Sequence, residues 1–368
     1  MRIAVISDVH LENHKILGGP MVAGVNRRAR HIADAFGTAI RIAMRLKCDR
    51  MVICGDVFDC AKPDPEIIGL FAEEAAKAHF RIQVVPGNHD RSSDQPGHHA
   101  LSALRKSTNV LVKNDPTLDG ADYDDETDFR AYLLLVPFTS NLTEVVVAKL
   151  QQASTGQPIY VFLHAGIVGP DTPPFLRDGK NVLQLDDVVA WGKLGVRGVF
   201  AGDWHNHAVL RTEGPAVVQV GALCPANFGD PPCGKMVVLD TETGAFEVVA
   251  VPGPRFNTLD MTDLRPLVID PDALHDGEGP LYLKIRCADR DRPEASSILE
   301  KLQANYPALT DWLIESEPDE QEQAVIAESM RPQATAGESV RAYCRQVESD
   351  QALADAAADL AEGFLRCV

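Results

Sequence analysis

At 368 residues with 45% apolar side chains, the chain is long enough for one large globular domain plus a smaller one, each with its own core. No run of 18 or more uncharged apolar residues occurs, and Met1-Arg2 leads straight into the first apolar run, so neither a membrane span nor a signal peptide is expected. The net charge of −18 argues against a broad nucleic-acid surface, but residues 258–368 hold 23 acidic against 10 basic side chains, while residues 1–110 hold 12 against 15.

In chain order, RIAVIS (2–7) reads as a buried strand that ends in Asp8-Val9-His10. Residues 11–26 are Gly-rich and read as a loop at a site edge. Ile32, Ala35, Phe36, Ala39, Ile40, Ala43 and Met44 then recur at helical spacing, predicting a helix over 27–46. MVICGDVFD (51–59) is a second buried strand whose tight turn presents Asp56. A helix over about 65–79, opened by Pro65, leads to RIQVVP (81–86), which ends in Gly87-Asn88-His89-Asp90; a further helix is expected at about 97–106. Residues 115–128 are acidic and read as a surface loop. From 131 onwards strands dominate: AYLLLVPF, PIYVFL (158–163) before His164, GVFA (198–201) before Asp203-Trp204-His205-Asn206-His207, then AVVQVGAL, KMVVLD and FEVVAV. These are expected to form a second, largely antiparallel sheet packed on the first.

Pro252, Gly253 and Pro254 punctuate the chain, so residues 1–256 are read as one domain, 257–280 as linker, 281–330 as a small α+β unit and 331–368 as a helical tail whose apolar face buries either on the protein's own body or on a partner. The eight cysteines are scattered without a C-x-x-C pair, which suits reduced thiols and a cytoplasmic setting.

Each strand ending taken singly is weak, since chance often supplies D-x-H and a lone buried His is usually a core residue. Together, five apolar runs stop on Asp, His or Asn, and open α/β sheets place their chemistry at the carboxyl ends of strands. Asp8, His10, Asp56, Asn88, His164, Asp203 and His205 form a mixed nitrogen and oxygen set suited to two divalent cations. Manganese ranks first among Mn²⁺, Fe²⁺, Zn²⁺ and Mg²⁺ because oxygen donors are so many. Asp56 reads as the bridge between the metals and Asn88 as a carbonyl-oxygen ligand. A metal pair of this kind supports in-line attack on phosphorus, hence phosphoester hydrolysis. His89 reads as the residue that stabilises the transition state or protonates the leaving oxygen, with Asp90 fixing its tautomer. Asp59 is expected to orient His10, or else to cap a helix. Arg27, Arg28, Arg30, Lys62 and Arg91 flank the endings and are the candidate phosphate-backbone contacts, against an ordinary role as solvated charges.

D-x-H, G-D-x-x-D, G-N-H-D, an isolated His after a strand and a G-x-x-H ending resemble the signature of calcineurin-like metallophosphoesterases. The resemblance implies an αββα double-sheet sandwich. Within that superfamily, GDVFDCAKPDP, GNHDR and VGALCPANFGD (220–230) resemble SbcD-type DNA repair nucleases over roughly residues 1–256, and the remainder matches a small capping domain and partner-binding helices only in layout. What this implies is a manganese-dependent exonuclease, and single-strand endonuclease, acting as a homodimer with an SbcC-like SMC-type ATPase in DNA repair or recombination. Two departures stand out. The usual G-H-x-H is Gly202-Asp203-Trp204-His205 here, so the ligand pair is either Asp203 with His205 or His205 with His207; the family's spacing from this Gly to a later Gly is about that between Gly202 and Gly221, which favours the first. The family's G-D-L-F-H ends in Asp59, which puts in doubt the role that this His plays on DNA. Asp59 and the acidic balance favour a rival reading, a phosphoesterase on cyclic nucleotides or phosphomonoesters. A second rival, a non-catalytic scaffold of the same fold, is disfavoured by the nearly complete ligand set.

Overall fold

The computed structural model describes residues 1–92, 99–106, 109–120, 131–153, 156–177, 181–268, 279–317, 344–345 and 354–360. It divides into two compact units, one of Met1–Asn257, His275–Tyr282 and Ala308–Asp311, the other of Thr258–Leu274, Leu283–Pro307 and Trp312–Val368.

The first unit holds two six-stranded sheets. One runs Phe246–Ala250, Lys235–Asp240, Arg2–Ile6, Arg50–Ile53, Arg81–Val84, Val110–Val112; the last four are parallel, while Lys235–Asp240 pairs antiparallel with both its neighbours. The other runs Ala208–Arg211, Ala216–Gln219, Val196–Gly202, Ile159–His164, Tyr132–Val136, Thr117–Gly120, with its four central strands parallel and its two edges antiparallel. The expectation of a largely antiparallel second sheet is thus corrected, and KMVVLD and FEVVAV join the first sheet instead. The reason lies in the apolar runs: Ile159–His164 is buried at every position. A strand covered on both faces suits a parallel sheet, whereas a one-sided antiparallel strand would alternate with polar residues.

Alternation along each strand builds three apolar layers. Ile3 and Val5 point between the sheets with Val52, Val85, Leu133, Leu135, Phe162, Phe200 and Val218. Phe162 and Phe200 stack there with ring centroids 5.4 Å apart. Ala4 and Ile6 point the other way, onto helix Arg27–Arg45, whose Ile32, Phe36 and Ile40 are buried against them. On the far face of the second sheet, Val161 and Val199 are covered by Val146 and Leu150 of helix Leu142–Gln152 and by Trp191. Helix, sheet, sheet, helix is the αββα sandwich. Asn26 starts the long helix by accepting a hydrogen bond from the Ala29 amide, 2.8 Å away.

The helix expected at 65–79 runs Pro65–Ala75, and that at 97–106 is a 3-10 turn over Ala100–Lys106. Parts of the acidic stretch 115–128 and of the linker, and most of the tail, lie outside the described residues. A further sheet runs Arg255–Asp260, Leu281–Ala288, Leu309–Glu317. Helix Arg292–Asn305 buries Ala295, Ile298, Leu299 and Leu302. No helix among the described residues is long and apolar enough to cross a membrane, and the seven described cysteines are all free.

Candidate metal centre

Strands Arg2–Ile6, Arg50–Ile53 and Arg81–Val84 of one sheet, and Ile159–His164 and Val196–Gly202 of the other, bring their carboxyl ends together. The loops are stitched to each other by the backbone: the Asp8 amide donates to the Gly55 carbonyl at 3.1 Å and the Val9 amide to the Asp56 carbonyl at 2.9 Å. Asp8, His10, Asp56 and Asp203 all sit at positive φ, 50°, 48°, 48° and 82°. Non-glycine residues hold that conformation at a cost, and such strain concentrates where side chains must be aimed. The motif glycines answer a related demand. A Cβ at Gly55 would lie 2.1 Å from His164 Nδ1, and one at Gly87 would lie 2.0 Å from Asp56 Oδ1, so each glycine lets one ending close onto another's functional group.

His164 is fully buried. Its Nδ1 sits 2.8 Å from the Cys54 carbonyl, to which it donates. Its Nε2 then faces Asn88 Oδ1 at 2.8 Å, Asp56 Oδ2 at 3.3 Å and Asp203 Oδ1 at 3.4 Å. His10 and His205 are arranged alike: Nδ1 of the first meets Asp59 Oδ1 at 2.8 Å, Nδ1 of the second meets Asp230 Oδ2 at 2.9 Å, and the two Nε2 atoms stand 3.1 Å apart. In all three rings an oxygen acceptor holds the proton on Nδ1 and leaves the Nε2 lone pair turned inward, the orientation that a metal-binding imidazole needs.

His10, Asp59 and His89 form one compact group at the rim, and two more, Asp8 with His10 and His205, and Asp8 with Asp56 and His164, both include Asp8. Asp56 Oδ2 also lies between them, 3.9 Å from His10 Nε2 and 3.3 Å from His164 Nε2. Asp8 and Asp56 are almost wholly shielded from solvent, and among the described residues their ion-pair partners are histidines, not Lys or Arg. Buried carboxylates without a permanent cation demand one. The protein's own groups show that demand. Burial works against a charged His10, yet the hydrogen bond to Asp59 and the carboxylates of Asp56 and Asp8 push it up to about 9. Burial likewise opposes ionisation of Asp56, but His164 wins and brings it down to about 2, while burial raises Asp8. The donor set therefore fits two adjacent divalent cations, with Asp8, Asp56, Asn88, His10, His164, Asp203 and His205 in reach.

The two possible registers after Gly202 are separated by geometry. Asp203 and His205 face the cluster, whereas His207 turns its Nδ1 to the Val220 carbonyl at 2.9 Å. Asp59 lies against His10, not on a helix end. His89 stands at the rim, its side chain 44% exposed, edge-on to His10 with centroids 5.0 Å apart.

Asp90 is corrected. It does not touch His89; its carboxylate turns inward and accepts from the amides of Phe58 at 3.0 Å, Gly87 at 3.0 Å and Val57 at 3.3 Å. Adjacent residues in so tight a turn point opposite ways, and three buried amides need an acceptor. The His89 ring is held instead by the Asp59 carbonyl, 2.9 Å from Nδ1. The basic candidates also change. Arg28 is buried, donates to the Ile16 carbonyl at 3.0 Å and lies over the Phe256 ring, so it is not a phosphate contact. Arg27 pairs with Asp311 at 2.9 Å, Arg30 donates to the Val22 carbonyl and Arg91 to the Phe138 carbonyl. Of the five, Lys62 alone is exposed.

Asp230 is the residue that the strand-ending argument misses. It lies 25 positions beyond its partner His205, in a loop with no apolar run ahead of it; its only signal is the FGD at the end of VGALCPANFGD.

Residues 1–207 match the family model described as calcineurin-like phosphoesterase. Among solved structures, the chain is similar to a dimetal phosphatase from Danio rerio (13% identity, covering 68% of this chain and 99% of that one, TM-score 0.43). It is also similar to an archaeal phosphodiesterase (14%, 68% and 100%, TM-score 0.34) and to a purple acid phosphatase from yellow lupin, Lupinus luteus (13%, 68% and 53%, TM-score 0.42).

Proposed function

The chain belongs to the calcineurin-like phosphoesterase family, a family of metal-dependent phosphoester hydrolases, and we propose that it is a dinuclear phosphodiesterase that cleaves DNA. The observation that carries the hydrolase reading is the pair of donor groups sharing Asp8, each completed by an imidazole whose Nε2 is turned inward. Two divalent cations held there, Mn²⁺ foremost, would acidify a water and neutralise phosphate oxygens. The chain's own residues do the rest. Asp59 and Asp230 hold His10 and His205 in the ligating orientation. Asp56 Oδ1 accepts the His89 amide at 2.9 Å, which ties the GNHD turn to the centre. With Nδ1 donating to the Asp59 carbonyl, His89 in its imidazolium form would carry a second N–H at Nε2, which would meet a phosphate oxygen or protonate the leaving group from the open side.

DNA as substrate, and with it exonuclease or single-strand endonuclease activity, homodimerisation, an SbcC-like SMC-type ATPase partner and a cytoplasmic place in repair, draws its support from the motif run GDVFDCAKPDP, GNHDR and VGALCPANFGD. A second reading, a phosphodiesterase on cyclic nucleotides or other small esters, is favoured by the inward commitments of Arg27, Arg28, Arg30 and Arg91, which leave a sparse basic track for a duplex. One assay separates the two. Purified protein with Mn²⁺ is offered end-labelled duplex DNA, circular single strands, cyclic nucleotides and a nitrophenyl ester in parallel; cleavage of DNA is expected, and turnover confined to the small esters replaces the first reading by the second.

A further inference from the structure

Beside the metal centre lies a cleft of about 870 Å³ that shares Asp203, His205 and Asp230 with it. That volume is in the range of pockets that enclose a small ligand. Much of the rest of its lining is apolar: Leu176, Val209, Leu210 and Pro231, with Trp204 among them. Trp204 stands between Asp203 and His205 in sequence, so its position is set by the same turn that aims both into the centre. The indole lies on Gly166, where a Cβ would come within 2.2 Å of Cε2, and this contact holds the ring in place. Asp171 and Asn206, both exposed, add polar groups to the lining.

A ligand that reached both the donor set and Trp204 would place an anionic group at the first and a flat apolar group against the second. We propose that the cleft takes the nucleobase of the nucleotide whose phosphate is at the metal centre, the base stacking on Trp204. The proposal rests on the phosphodiesterase reading and deepens it, because it makes a single unstacked nucleotide the unit recognised. Every base has a π-face, so stacking on an aromatic ring tolerates sequence while rejecting phosphoesters without a base. A strand end and a free nucleotide offer the same chemistry.

The test is binding, by calorimetry and by quenching of indole fluorescence, of deoxyadenosine 5′-monophosphate and of 2-deoxyribose 5-phosphate to the Mn²⁺-loaded protein. The nucleotide is expected to bind at least about tenfold tighter than the sugar phosphate. Trp204→Ala is expected to weaken the nucleotide by about 5- to 150-fold and leave the sugar phosphate alone. Trp204→Phe, which keeps an aromatic face, is expected to retain most of the affinity. A 5′-phosphorylated hexadeoxynucleotide, run beside the mononucleotide, tells a strand end from a free nucleotide by which of them depends more on Trp204. Equal affinity for nucleotide and sugar phosphate, or equal weakening of both by Trp204→Ala and Trp204→Phe, overturns the proposal. Hydrolysis of bis(4-nitrophenyl) phosphate is measured alongside. Turnover without base preference removes the cleft assignment alone, and base preference without turnover removes the hydrolase reading alone.

Discussion

His10 and His205 face each other across the centre with their Nε2 atoms 3.1 Å apart, each held from behind by a carboxylate, Asp59 for one and Asp230 for the other. Two inward lone pairs at that distance repel unless a positive charge lies close to both. In the metal-free protein burial opposes a proton on either ring, yet Asp59, Asp56 and Asp8 raise His10 to about 9, and Asp230 and Asp8 raise His205 although His10 opposes it.

Cations in place of those protons stabilise the fold. Mn²⁺ at about 100 times its Kd is expected to add about 2.7 kcal/mol to unfolding free energy, and a chelator to remove it. Asp56→Ala is expected to lower the bound metal measured by elemental analysis and to cut phosphodiester turnover about a thousandfold, the equivalent of about 4 kcal/mol. A variant that keeps two ions per chain and full turnover refutes the assignment of Asp56.

Asp230→Ala leaves His205 in place but frees its ring to turn. Loss of a carboxylate that orients a metal-binding imidazole typically costs 10- to 100-fold in metal affinity, so titration calorimetry with Mn²⁺ is expected to show a drop of about that size. Asp59→Ala is expected to do the same through His10.

Asp90→Ala removes the acceptor of three buried amides, those of Val57, Phe58 and Gly87. Stranded buried donors cost about 1–3 kcal/mol each before relaxation, and a net loss of about 3 kcal/mol is expected in urea unfolding. The loss is expected in metal-free protein as well, which separates a structural Asp90 from one that serves His89.

His14 is kept neutral by burial and then by Arg28, which bring it down to about 4 from an ordinary value of 6.5. The unfolded chain takes up this proton as pH falls through 6.5, and the folded chain does not until about 4. Stability from this group is therefore complete above pH 6.5 and drains away between 6.5 and 4, by up to about 3 kcal/mol. His14→Gln is expected to flatten that part of the stability curve recorded by urea unfolding in a pH series; an unchanged slope removes His14 as its source.

Much of this was open to reading from residues alone. An apolar run that ends in a short polar turn needs only local information, and five such runs predicted both the buried strands and the residues at their tips. Asp8, His10, Asp56, Asn88, His164, Asp203 and His205 meet because parallel strands put their carboxyl ends at one edge of each sheet and the two sheets bring those edges together. The sheet to which Lys235–Asp240 belongs is not local, since both edges offer the same hydrogen-bonding groups and only packing chooses between them. Which way Asp90 points, where Arg28 spends its charge and how Asp230 finds His205 across 25 residues depend on which backbone amides and carbonyls are left unsatisfied once the loops close. Periodicity carries burial and direction along a strand; the pairing of buried polar groups between distant loops is decided only when the chain has folded, because each partner is specified by the other's need for a hydrogen bond.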